Sequence, residues 1–195
     1  MEISALQKAR SSYQPKLPKG LRGNVDIIEG APTESVGDQA EIKRLFPHTY
    51  GMPLVEFAPA KEVKEYAPIN VGVILSGGQA PGGHNVICGL FDELKKQNPK
   101  SKLYGLVDHK YKELTAEVID KYRNTGGFDM IGSGRTKLET KEQFDSGLEI
   151  IRQLNLNAVI IIGGDDSNTN ACMLAEYYAS INAGVSVIGC PKTID

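Results

Sequence analysis

A surplus of charge is the first thing this sequence lacks. Its 22 basic residues stand against 24 acidic ones, a net charge of −2, so no overall field draws the chain to nucleic acid or to a membrane surface. Long apolar runs are missing as well. Nothing approaches the roughly 18 consecutive residues of a membrane span, and Met1-Glu2-Ile3-Ser4-Ala5-Leu6 has none of the apolar stretch of a signal peptide. A cytoplasmic place is the default expectation. Cysteine is scarce. Cys88, Cys172 and Cys190 form neither an even disulfide framework nor a paired zinc-ligand spacing, and they read as small buried packing residues. His48, His84 and His109 show no ligand spacing, which predicts surface or turn positions.

What is present is a regular alternation. From Asn70 onward, short apolar runs at Val71–Leu75, Leu103–Val107, Phe128–Ile131, Ala158–Ile162 and Val185–Gly189 read as strands. Helical spacing at Gly82–Gln97, Glu113–Arg123, Lys141–Leu154 and about Asn168–Ile181 falls between them. Such alternation predicts βαβ units, hence an α/β fold with a Rossmann-like parallel sheet covered by helices on both faces. With 195 residues, 41% of them hydrophobic, the chain is the size of one large domain with an ordinary core. Residues 1–68 differ in texture. Pro15, Pro18, Pro32, Pro47, Pro53 and Pro59 interrupt any period, and Lys8, Arg10, Lys16, Lys19 and Arg22 accumulate without one helical face. They read as an extended arm with short helical pieces, such as Glu41–Phe46, ahead of a ligand-binding domain at 69–195.

Ligands of such sheets bind at the carboxyl ends of the strands, and four loops carry the informative residues there. Ser76-Gly77-Gly78-Gln79-Ala80-Pro81-Gly82-Gly83-His84-Asn85 clears space with glycines and ends in a helix start, the makings of a phosphate site. It lacks the Gly-Lys-Ser/Thr of a Walker loop and the spacing of the dinucleotide fingerprint, so a tight turn stays open as its alternative. Gly132-Ser133-Gly134-Arg135-Thr136 puts a guanidinium on a small-residue turn, suited to gripping phosphate oxygens. Ile161-Ile162-Gly163-Gly164-Asp165-Asp166-Ser167-Asn168-Thr169-Asn170 runs from a buried strand into a helix start carrying two carboxylates. Cys190-Pro191-Lys192-Thr193-Ile194-Asp195 follows the last strand. Carboxylates, cations and glycine-lined anion pockets on one sheet edge are the parts of phosphoryl transfer.

Together these residues carry a resemblance. Ser76-Gly77-Gly78 with Pro81-Gly82 and Asn85, Gly132-Ser133-Gly134-Arg135, Gly163-Gly164-Asp165-Asp166-Ser167 and Pro191-Lys192-Thr193-Ile194-Asp195 resemble the phosphofructokinase superfamily, most closely its pyrophosphate-dependent branch. Leu6-Gln7-Lys8-Ala9-Arg10, Tyr13-Gln14-Pro15-Lys16-Leu17-Pro18, Leu45-Phe46-Pro47 and Thr49-Tyr50-Gly51 resemble that branch's opening arm. The resemblance implies pyrophosphate and fructose 6-phosphate as substrates and Mg²⁺ as cofactor. Gly77, Gly78, Gly164 and Arg135 would bind pyrophosphate, and Asp165 would help hold the metal. Asp195 would be the general base, Thr193 and Ile194 would position the sugar, and Lys192 would stabilise charge on the donor. Asp166, where ATP-using relatives carry glycine, would repel the α-phosphate of ATP, with Lys192 as its matching half.

The resemblance also implies chain beyond Asp195, with a second lobe holding the rest of the sugar-phosphate site. The 195 residues are therefore expected to be an N-terminal, donor-side part with little turnover alone, and the complete protein to be a homo-oligomer such as a dimer. Two other readings remain: an ATP-dependent phosphofructokinase or an NAD or lipid kinase sharing the Gly-Gly-Asp turn, and a non-catalytic phosphate-binding or assembly module.

Overall fold

The computed structural model describes residues 3–108 and 110–192. They divide into two compact units, residues 14–66 and the remainder of the chain.

The larger unit opens with helix α1 (Ala5–Ser12), started by a capping box in which Ser4 and Gln7 satisfy each other's backbone N–H groups. Asn124 holds its end, donating from Nδ2 to the carbonyls of Arg10 and Tyr13, each at 2.9 Å. The smaller unit carries a one-turn 3₁₀ helix at Lys19–Leu21, then strand β1 (Val25–Pro32), helix α2 (Gln39–Leu45) and strand β2 (Pro53–Pro59). β1 and β2 pair antiparallel, and the Thr33 N–H and hydroxyl both donate to the Met52 carbonyl at the neck of their connection, at 3.1 and 2.6 Å. The helical piece thus forms where the sequence places it, whereas the ribbon has no local signal. Most of its residues are exposed, so no burial alternation marks the strands, and prolines close their ends.

The rest of the larger unit is the expected alternation. Its elements are β3 (Asn70–Leu75), α3 (Gly83–Gln97), β4 (Lys102–Val107), β5 (Lys110–Glu113), α4 (Ala116–Tyr122), α5 (Lys141–Gln153), β6 (Ala158–Gly163), α6 (Asp165–Ser180) and β7 (Ser186–Pro191). The sheet order is β5-β4-β3-β6-β7, parallel except for β5. Period-two alternation sorts side chains to the two faces. Val71, Val73, Leu75, Ile160 and Ile162 pack with Ile87 and Phe91 of α3 and Ile119 of α4. Val159 and Ile161 pack with Phe144, Leu148 and Ile151 of α5 and Leu174 and Tyr178 of α6. Each fully buried aliphatic side chain contributes on the order of 1.5–3 kcal/mol. Arg123 ties α4 to α3, its guanidinium forked onto the Asp92 carboxylate at 2.7 and 2.8 Å. No helix among the described residues is long and apolar enough to cross a membrane.

Three local expectations are corrected. Lys110–Glu113 forms an antiparallel edge strand on β4 and the helix begins only at Ala116, because residues 110–113 are all exposed and all but Tyr111 are charged, the composition of a protected sheet edge. Phe128–Ile131 is not a strand. Phe128 and Met130 are buried, but the N–H groups of Asp129 and Met130 turn to the His84 ring rather than to a neighbouring strand. Helix α6 starts at Asp165 instead of Asn168, so both carboxylates lie in its first turn.

Candidate active site

The chain leaves the central strand β3 for β4 on one side and returns to β6 on the other, so the loops after β3 and β6 face each other across a switch point. Backbone bonds hold those loops together. The Ser76 N–H donates to the Ile162 carbonyl at 2.8 Å, extending the sheet past β3. The turn at 132–136 is joined on from the other side: Gly77 N–H donates to Gly134 O at 2.9 Å and Gly134 N–H to Leu75 O at 3.2 Å. Gly77 has φ +83°, a left-handed conformation that an L side chain would strain. Gly163 has no room for a Cβ, which would strike the side chain of Ser167. That closeness lets the Ser167 hydroxyl donate to Ser76 Oγ at 2.8 Å, bridging the two loops.

The start of α6 is set by Asn168, whose Nδ2 donates to the carbonyls of Gly163 and Gly164 at 2.7 and 2.8 Å. Gly164, the N-cap, has no side chain to accept from the first helical N–H groups. Replacing Asn168 with Ala is expected to destabilise the chain by about 0.5–1.5 kcal/mol, because each carbonyl loses the amide but keeps a backbone donor, Lys192 N–H on Gly163 O and Asn168 N–H on Gly164 O. Denaturant unfolding of the variant checks this, and an unchanged midpoint would show that water replaces the amide.

Four of the ten predicted site residues meet here. Gly77, Gly78, Arg135 and Asp166 line one cavity of about 230 Å³, with Ser76, Lys137, Ser167 and Asn170 completing its wall. Arg135 Nη2 lies 3.6 Å from where a Cβ on Gly78 would sit, and no described residue makes a hydrogen bond or ion pair with its guanidinium. Lys192 comes in from the end of β7. Its N–H donates to Gly163 O at 2.8 Å, its Nζ donates to Gly78 O at 2.8 Å, and the ammonium stands 5.3 Å from the centre of the Phe128 ring. Asp165 lies beside the cavity rather than in its wall, with Oδ1 accepting from the Asp166 N–H at 2.8 Å. Thr193, Ile194 and Asp195, the predicted sugar-site and base residues, lie outside the described residues, as does His109.

Sequence reasoning passes over Lys137. Its Nζ lies 3.3 Å from Asp166 Oδ2, and both side chains are exposed, so the pair adds little to stability. Its interest is its place, in the wall of the same cavity as Arg135. Asn170 secures the adjoining backbone, donating to Leu138 O at 2.5 Å and accepting from Leu138 N–H at 3.1 Å. The signal for Lys137 was its i, i+2 spacing from Arg135, which on extended backbone sets two side chains on one side. Two residues read as bland also move. His84 is buried at the start of α3 instead of lying in an exposed turn, because both ring nitrogens find partners there. Cys172 is exposed rather than buried, whereas Cys88 is buried as expected.

Residues 70–195 match the family described as Phosphofructokinase, well over half of the chain. The chain belongs to the phosphofructokinase family. Within it, a pyrophosphate–fructose 6-phosphate 1-phosphotransferase from Porphyromonas gingivalis is 68% identical across the whole chain, and one from Entamoeba histolytica is 50% identical. The alpha 2 subunit of the Arabidopsis thaliana enzyme of that name is 40% identical. The chain spans 37% of the length of the first two of these proteins and 34% of the third. Among solved structures, the pyrophosphate-dependent phosphofructokinase of Nitrosospira multiformis superposes with a TM-score of 0.58 over 66% of this chain and 35% of that one, at 19% identity. That of Marinobacter aquaeolei gives 0.56 over 64% and 33%, also at 19% identity, and both likenesses speak to the fold alone. This phosphofructokinase chain therefore carries the family's α/β core with the cavity described above at the carboxyl edge of its sheet.

Proposed function

We propose that the chain is the donor-binding part of an enzyme that transfers the terminal phosphoryl group of pyrophosphate to the 1-hydroxyl of fructose 6-phosphate, reversibly, giving fructose 1,6-bisphosphate and orthophosphate. Residues 69–195 form the donor domain in this reading and residues 1–68 an arm. The observation that carries it is that Arg135 and Lys137 line one small cavity with Gly77 and Gly78, while Lys192 from a distant loop donates to the Gly78 carbonyl beside it. The curated relatives bear the same activity in their names, and the plant proteins are named as subunits, which supports an oligomeric complete protein. A cytoplasmic place accords with these sugar-phosphate substrates.

Each residue then has a task. Arg135 grips donor oxygens in two places, and the left-handed Gly77 turn lets the backbone approach them closely. Lys192, held on the Gly78 carbonyl, faces the charge that builds on the leaving phosphate as its bridging P–O bond breaks. The sugar O1 forms the new P–O bond while its proton passes to the Asp195 carboxylate, with Thr193 and Ile194 positioning the sugar; these last three roles rest on the sequence motif. Asp165 fits a magnesium ion: one carboxylate oxygen remains beyond its bond to the Asp166 N–H, and such ions are commonly held by one or two carboxylates plus substrate phosphates. Bound there, Mg²⁺ would neutralise phosphate charge.

Asp166 points its charge at the same cavity and is answered by Lys137. A nucleotide's α-phosphate would meet that carboxylate, whereas pyrophosphate has none to offer. In the full-length protein, Asp166→Gly is expected to raise the ratio of kcat/KM for ATP over pyrophosphate by about tenfold, roughly the effect of relieving 1.4 kcal/mol of like-charge repulsion. Adding Lys137→Met should cancel much of the gain, since the freed ammonium is the cation that would meet the nucleotide. An unchanged donor ratio removes this account. The broader reading is tested by calorimetric titration with Mg²⁺ and pyrophosphate, with ATP in parallel; a pure assembly module would bind neither.

A further inference from the structure

We propose that His84 is the positioning residue of the donor site, a single imidazole that sets both the Arg135 turn and the ring beneath Lys192. The inference rests on the donor reading above. His84 is the second residue of α3 and only 2% exposed, although it follows a glycine-rich loop. Its Nε2 lies 2.9 Å from the Asp129 N–H nitrogen and 3.0 Å from that of Met130, so it accepts from both. Nδ1 lies 2.7 Å from Thr125 Oγ1, and that hydroxyl donates its own proton to Tyr122 O at 2.7 Å. The ring proton therefore sits on Nδ1, and the neutral imidazole is saturated. The backbone doubles the link, with His84 N–H donating to Gly127 O at 2.9 Å and Gly82 N–H to Gly126 O at 2.7 Å.

What this ring holds is the irregular segment 125–131. Phe128 and Met130 from that segment are buried in the core on either side of Asp129. Asp129 O accepts from Gly132 N–H at 3.4 Å, and Gly134 two residues on is paired with Leu75 and Gly77. A hydrogen-bonded path thus runs from Nε2 through residue 129 to the turn that presents Arg135. The same segment carries Phe128, whose ring lies 5.3 Å from Lys192 Nζ and blocks any side chain at Gly83. One ring sets the reach of two donor cations that come from loops far apart in sequence. The groups facing it are Asp129, with Oδ1 3.0 Å from Nε2, the Tyr122 ring edge at 4.8 Å, and the Thr125 hydroxyl.

Protonation would turn Nε2 from an acceptor into a donor aimed at two N–H groups. Burial holds the His84 pKa below its ordinary value of 6.5, against the pull of the Asp129 carboxylate. The unfolded chain therefore takes up the proton first, so the stability this ring lends is fully present above about pH 6.5 and is lost as pH falls through the lowered folded-state value.

The test uses the full-length protein with both substrates varied. His84→Leu removes both polar contacts at similar bulk and is expected to raise KM for pyrophosphate about tenfold, a loss of 1.4 kcal/mol in binding, with KM for fructose 6-phosphate within about twofold. His84→Gln, whose amide oxygen meets the same two N–H groups, should restore most of the donor affinity. The wild-type KM for pyrophosphate should also climb more steeply than that of His84→Gln as pH falls below 6.5. Parallel loss of both substrates in a folded His84→Leu protein would assign His84 a merely structural role and overturn the proposal. If that variant does not fold, the comparison of pH profiles decides, and coincident profiles overturn it. Arg135→Ala is the control. Should it leave pyrophosphate binding untouched, the donor reading itself fails; should it weaken binding while His84→Leu does not, only the positioning role fails.

Discussion

Replacing Lys192 with Ala in the full-length protein is expected to lower kcat/KM for pyrophosphate by about 10²–10³-fold, the range seen when one preorganised donor to a developing anion is removed. The ammonium is placed for that work by contacts from three directions: its own backbone on Gly163, its Nζ on the Gly78 carbonyl and the Phe128 ring below. Steady-state kinetics with both substrates varied measure the loss. A change confined to KM would show that Lys192 only binds ground-state pyrophosphate, and a change of less than about tenfold would remove it from the charge-stabilising role.

The largest effect on stability should come from Phe128→Ala, at about 3–5 kcal/mol. The ring is 2% exposed and sits within the core beside Leu75 and against Gly83, where no Cβ would fit. Its loss leaves a cavity under the donor turn and strips Lys192 of its aromatic floor. Urea unfolding of the variant gives the first number, and the pyrophosphate KM of whatever folded protein remains gives the second. Full stability would mean that the segment 125–131 collapses to fill the space, in which case the donor affinity should fall with it.

These two residues also mark the limit of what patterns along the chain convey. The strand endings at Gly77 and Gly163 are legible because β-branched runs breaking at glycines are local signals, and the carboxylates that follow need no long-range information. Four helices are legible from their apolar spacing for the same reason, although α4 and α6 begin three residues away from where that spacing puts them. Phe128–Ile131 misleads because an apolar run of four reads as a strand whether its N–H groups go to a neighbouring strand or to an imidazole. β1 and β2 stay hidden because their side chains are largely exposed, so hydrophobicity does not alternate along them. His84 looked like a turn residue since its value lies in partners 45 and 46 positions away, the Asp129 and Met130 amides.

The sequence by itself determined the order of β3, α3, β4, α4, α5, β6, α6 and β7, though not β1, β2 or β5, and which chemical groups stand at the strand ends. It also carried the family's motifs, because these are contiguous. Only the tertiary structure decided which of those groups meet. Lys192 reaches Gly78 across 114 positions and Ser167 reaches Ser76 across 91, and both depend on β6 and β7 lying on one side of β3 and β4 on the other. That order is set by burying both faces of the sheet under helices, a property of the whole α/β unit. For the same reason the ion pair of Asp166 with Lys137 appears only once the chain has folded.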